Sequence, residues 1–152
     1  MKFKKITLII IAIFLMGLII LLFLFFNKFS QSSSTIHFPN KNIIINAKIA
    51  KTQSELEKGL MNVEYLPKNK GMLFILPKEG HDSFWMKNTL ISLDIIFLDK
   101  DKKIVDIFQN VPICKNDPCE TYTPKTLSQY VLEVNSGFVN ENNISIGDSI
   151  EF

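Results

Sequence analysis

The chain has 152 residues, 47% of them hydrophobic, with 17 lysines, no arginine and 15 acidic residues. This composition excludes a disordered or fibrous chain and suits one compact domain once an N-terminal apolar stretch is set aside. Beyond residue 30, 13 lysines are scattered among all 15 acids, which argues against a nucleic-acid partner, and the lack of arginine removes the bidentate clamp that phosphate sites favour.

Residues 1–5 carry Lys2, Lys4 and Lys5, and residues 6–26 follow without a charge. As a helix those residues would be about 31 Å long, the thickness of a bilayer's hydrocarbon core. A cleaved signal peptide has a shorter apolar region and a small-residue cleavage site, and no such site follows Phe26. The expectation is a single-pass signal anchor in contact with the lipid bilayer of the cytoplasmic membrane. The lysine bias puts the N-terminus inside and the domain on the extracytoplasmic face. Residues 27–35 are polar and serine-rich and read as a tether, which leaves 36–152 as the domain.

Within it, apolar residues alternate at Ile43, Ile45, Ala47 and Ile49, the period of a half-buried strand. Ser54 to Glu57 has capping-box spacing and predicts a short helix that Gly59 either ends or lets pack closely. Met72–Leu76 reads as a buried strand closed by Pro77, and Lys78–Asp82 as a polar loop. Ser92–Leu98 and Lys103–Phe108, joined by Asp99–Lys102, predict a hairpin. Tyr130–Asn135 predicts a strand with Val131 and Glu133 on one face and Leu132 and Val134 on the other. Ser149–Phe152 predicts a last short strand. The fold class expected is mostly β (β-rich α+β): a compact, partly closed antiparallel sheet or barrel with one or two short helices, preceded by one transmembrane helix.

The chemistry concentrates in Trp85-Met86-Lys87-Asn88-Thr89 and the strand after it. Trp85 is the only tryptophan, and an aromatic platform beside a few polar groups is the usual make-up of a small-molecule site. Asp94 lies in an apolar run, so its carboxylate must find donors or keep a proton; Glu133 is similarly placed. The candidate ligand-binding set is Trp85, Met86, Lys87, Asn88, Asp94 and Glu133. Asp94 and Glu133 could alternatively be the acid and base of a carbohydrate hydrolase if about 5 to 10 Å apart. His81 with Met86 offers soft ligands for copper, although methionine beside aromatics is far more often core. Cys114 and Cys119, an even pair in an oxidising compartment, read as a disulfide. Free thiols, or a redox or metal pair, are the alternatives.

In order along the chain, Lys58-Gly59-Leu60-Met61, Gly71-Met72-Leu73-Phe74, Trp85 to Thr89 with Leu93 to Phe97, Cys114 and Cys119 before Tyr122, Val131 to Gly137, and Gly147-Asp148 resemble the DUF192 family, also called UPF0127. The resemblance covers about residues 43–152 and departs at Lys58, where the family pattern usually has arginine. It implies a small β-rich domain, often exported or membrane-tethered, and no established activity, so it supplies no catalytic residue. The reading that follows is a monomeric, non-catalytic binding module for a small molecule or cell-envelope component. No cofactor and no resident metal are expected.

Overall fold

The computed structural model describes residues 11–23 and 32–152. The chain divides into two units, Met1–Ser32 and Ser33–Phe152.

In the first unit, residues 11–23 form helix α1. The transmembrane helix expected over 6–26 is corrected to a described helix of residues 11–23. Residues 6–10 and 24–26 lie outside the described residues, and among the described residues no helix is long and apolar enough to cross a membrane. The basic stub 1–5 and most of the tether, residues 27–31, also lie outside them.

The second unit is built on a six-stranded sheet of β1 (Ser33–Phe38), β2 (Ile43–Ala50), β3 (Lys70–Gly80), β5 (Leu93–Leu98), β6 (Ile104–Val111) and β8 (Ser128–Asn135), in the order β1-β2-β3-β8-β5-β6. A two-stranded ribbon pairs β4 (Phe84–Trp85) with β7 (Thr121–Tyr122). Two short helices, α2 (Gln53–Lys58) and α3 (Phe138–Glu141), complete it.

The mostly-β expectation holds, but two parts of it are corrected. The sheet is mixed, because β2 and β3 run parallel, and a parallel pair needs a crossover connection, here the one that carries α2. Nor is it a barrel: β1 and β6 end the sheet without pairing with each other. The C-terminal segment, expected as a strand, makes only isolated bridges, Glu151 to His37 and Ser149 to Lys103.

Alternation sorts the apolar side chains into two cores, one on each face. Ile96, Leu98, Leu132 and Val134 point to the face covered by Phe138, Val139 and Ile144. Ile95, Phe97, Val131, Met72 and Phe74 point to the other, with Leu60, Met86 and Tyr122 packed over them. On that second face a chain of edge-to-face rings runs Phe74–Phe84–Phe97–Phe108–Tyr122, with centroids 5.0 to 5.8 Å apart. It seats the β4–β7 ribbon on the sheet, and each such pair contributes about 0.5 to 1.5 kcal/mol beyond area burial.

The hairpin β5–β6 forms as expected. Asp99 organises its turn by accepting from the amides of Asp101 and Lys103, both at 2.9 Å. α2 starts two residues earlier than the Ser54 reading. Thr52 is the N-cap, its hydroxyl accepting from Glu55 N at 3.4 Å while the Glu55 carboxylate accepts from Thr52 N at 2.9 Å. β3 runs on through Pro77 to Gly80. Pairing with β8 is irregular between Ile75 and Gly80, so the missing proline N–H breaks no regular ladder there.

Candidate functional site

Glu133 stands on β8 opposite Met72 of β3 and Ile95 of β5, so both cross-strand neighbours are apolar. It is 4% exposed, and among the described residues nothing donates a hydrogen bond to its carboxyl. Burial alone pushes its pKa up to about 8, so at neutral pH the group holds its proton. Its remaining opening is a chamber of about 30 Å³ whose lining includes Gly59, Phe74, Phe84, Trp85, Lys87 and Thr89. That volume admits about one water-sized group.

One wall of the chamber exists because α2 stops where it does. Gly59, the C-cap, has φ of 45°, and a Cβ there would meet the Phe74 ring at 3.2 Å. A glycine with positive φ and ψ of −134°, a conformation that side chains disfavour, therefore turns the chain into Leu60 and Met61 close against the ring. The opposite wall is the ribbon, which presents Trp85 on its outer side, 48% exposed. A groove of about 520 Å³ opens beyond the indole, lined by Leu56, Leu76, Pro77 and Phe84 with Gln53, Glu57, Lys78, Asp82 and Ser83. Groove and chamber share Leu56, Glu57, Phe84 and Trp85.

Lys87 leans over the indole with Nζ 5.6 Å from the ring centroid and pairs with Asp117 at 3.2 Å. Asp117 lies within the loop closed by the Cys114–Cys119 disulfide, so the bridged loop steadies the lysine beside the tryptophan. Both partners are partly exposed, and such a pair contributes about 1 kcal/mol or less.

Of the remaining predicted residues, Met86 and Asp94 lie apart from this cleft, and Asn88 meets it only through Met61, Nδ2 to Sδ at 4.0 Å. Met86 is 2% exposed in the second core, and its contact with open space is a separate pocket of about 330 Å³ beside Pro112, Cys114 and Tyr122. Asn88 is exposed, adopts φ of 56°, and uses its carbonyl to accept from Asn62 N at 2.8 Å. Asp94 is fully buried on the other face of the sheet, opposite Val134. Its oxygens accept from the amides of Asn110 at 2.8 Å, Gly137 at 3.2 Å and Val139 at 2.8 Å. Gly137 is the N-cap of α3 and offers no side chain; Asp94 does the capping from the neighbouring strand.

That geometry removes the two-carboxylate hydrolase. Asp94 faces α3 and Glu133 faces the Trp85 cleft, with the sheet between them, so no substrate bond can lie between the two. The copper pair gains no support either: Met86 is core, and His81 engages its Nδ1 with the Pro124 carbonyl at 2.9 Å. Among the described residues the one cluster of metal-ligating types is Cys114, Asp117 and Cys119, whose two sulfurs are bonded to each other.

Residue-by-residue reading did not place Gly59, Leu60, Phe74, Phe84 and Thr89 in the site: the first three come from two segments distant from Trp85 in sequence, and Phe84 and Thr89 only bound the stretch that was singled out. The available signal was the Lys58-Gly59-Leu60-Met61 motif, which lines the chamber in full.

Residues 35–152 match the model of the DUF192 family, described as "Uncharacterized ACR". A UPF0127 protein of Thermococcus sibiricus is 34% identical over 110 residues, 69% of this chain and 64% of the relative. A UPF0127 protein of Thermococcus kodakarensis is 31% identical over 107 residues, 69% of this chain and 63% of the relative. The matched part of the chain thus spans somewhat under two thirds of these relatives. Among solved structures, a protein of unknown function from Novosphingobium aromaticivorans superposes with a TM-score of 0.71 at 29% identity, covering 79% of this chain and 84% of the other. One from Sinorhizobium meliloti 1021, provisionally described as a transcription regulator, superposes at 0.74 with 27% identity, covering 80% and 95%. The domain thus shares its fold with these solved proteins, and this chain is a member of the DUF192 (UPF0127) family.

Proposed function

We propose that the domain is a non-catalytic binding module for a small molecule or cell-envelope component, held in the cleft on either side of Trp85. The observation that carries this reading is the juxtaposition of a half-exposed indole, a groove of about 520 Å³ and a buried carboxyl without a donor. A groove of that volume is in the range of small-molecule sites, and the Glu133 carboxyl reaches open space in the adjoining chamber. Trp85, Lys87 and Glu133 are the predicted residues that line the cleft, joined by Gly59, Phe84 and Thr89.

Two features narrow the setting. The Cys114–Cys119 disulfide supports an oxidising compartment and hence an extracytoplasmic location. The even mixture of lysines and acids beyond residue 30 supports a small ligand over nucleic acid, which calls for a basic patch.

The test uses the single tryptophan as reporter. Soluble glycans and peptidoglycan fragments are titrated into the protein while Trp85 emission is followed. A saturable shift, weakened at least tenfold by Lys87→Ala, is the expected result. An indole whose emission no member of the panel changes at millimolar concentration would overturn the reading.

A further inference from the structure

The chamber under Trp85 is selective about what it can hold. Its volume of about 30 Å³ suits a small group about the size of a water or an ammonium. Its walls include the rings of Phe74, Phe84 and Trp85, and the first two meet edge to face at 5.0 Å. Ring faces attract cations and give nothing to an anion. The floor is the Glu133 carboxyl, which nothing in the described protein satisfies.

The charged groups around it are few. Strands β3 and β5 place Met72 and Ile95 beside Glu133 and bring no charge. α2 brings Glu57 and Lys58, both exposed, and the turn after β4 brings Lys87, which is paired with Asp117. The acidic groups Glu57, Glu133 and Asp117 therefore outnumber the two lysines once Glu133 is ionised.

We propose that the cleft takes a ligand bearing a primary ammonium group, which enters the chamber between the aromatic rings and pairs with the Glu133 carboxylate. The proposal rests on the small-molecule reading of the same cleft. In the step itself the Glu133 carboxylic acid gives its proton to solvent and the resulting carboxylate pairs with the ammonium, which keeps its own three hydrogens. One proton is released, and no other bond is made or broken.

Because burial keeps Glu133 protonated up to about pH 8, cation binding is coupled to pH. At pH 6.5 nearly every free site is protonated, so each binding event releases close to one proton; at pH 9 few are, and little is released. The apparent affinity for an ammonium therefore rises about 30-fold between those two pH values.

n-Butylammonium and its neutral counterpart n-butanol test this on the full chain, by calorimetry in two buffers of different ionisation heat and by Trp85 emission. Expected are a Kd for butylammonium at least tenfold below that for butanol at pH 9, about one proton released at pH 6.5, and loss of both in Glu133→Gln. The wild-type proton count decides without the variant. Equal binding of the two probes with no proton release overturns the ammonium proposal and leaves the small-molecule cleft standing. No heat and no emission change with either probe, at either pH, overturns both.

Discussion

Asp94 and Glu133 occupy adjacent steps of the β5–β8 ladder, Asp94 opposite Val134 and Glu133 opposite Ile95, and the one-residue offset sends them to opposite faces with opposite consequences. Asp94 meets three backbone amides; Glu133 meets apolar side chains and a small chamber. Replacing Asp94 by asparagine leaves one acceptor oxygen where two served and turns an NH2 group toward amides. We expect a loss of about 2 to 4 kcal/mol, read as a lower midpoint in urea denaturation. Glu133 behaves differently. Below its ordinary value of 4.5 it is protonated in folded and unfolded chains alike, whereas between 4.5 and about 8 only the folded chain keeps the proton. The folded state binds more protons in that window, so Glu133 makes stability fall as pH rises through it, by about 1.4 kcal/mol per unit at most, and the effect levels off above about 8. Thermal unfolding at pH 5, 6.5 and 8 should show this slope in the wild type and its disappearance in Glu133→Gln. The alternation of residues 130–135 was enough to assign Glu133 its face. What satisfies Asp94 was not legible in the same way, because its amide donors lie 16, 43 and 45 residues downstream.

At the level of elements, legibility followed locality. The hairpin β5–β6 could be read because both strands and the Asp99 turn are contiguous. β1 was hidden because Ser33 to Thr35 look like linker, and their strand state comes from pairing with Ala47, Asn46 and Lys48 across the sheet. α2 was found but shifted, since two overlapping residue patterns, Thr52 with Glu55 and Ser54 with Glu57, fit the same box. The structure resolves them: the amides of Thr52 and Lys51 bond to the Glu55 carboxylate and hold its pKa below the ordinary value. Thr52→Ala should therefore cost about 1 kcal/mol and Ser54→Ala only a few tenths, a contrast that chemical denaturation of the two variants measures directly. Gly59→Ala is predicted to cost more than about 1 kcal/mol, since alanine resists φ of 45° and its methyl would press on Phe74. The same substitution narrows the chamber and should weaken any ligand that reaches Glu133.

Across the whole folded unit, one open mixed sheet separates two cores with different duties. The core under α3 is closed, with Asp94 as its satisfied polar group. The core under the ribbon carries the cleft, where α2, the ribbon and the disulfide loop converge above β3, β8 and β5. The disulfide closes only a short loop, for which chain entropy gives about 2 kcal/mol. Reduction should leave the sheet intact by circular dichroism while loosening Asp117, and with it Lys87, beside Trp85. Because the account turns on Glu133 being buried and unpaired beneath that indole, the most direct measurement is the carboxyl carbon shift of Glu133, followed by NMR as a function of pH in the ligand-free protein. A titration midpoint near 8 is the predicted result. A midpoint in the ordinary carboxylate range near 4.5 would mean that the carboxyl is solvated or paired, and the cleft as described here would be contradicted.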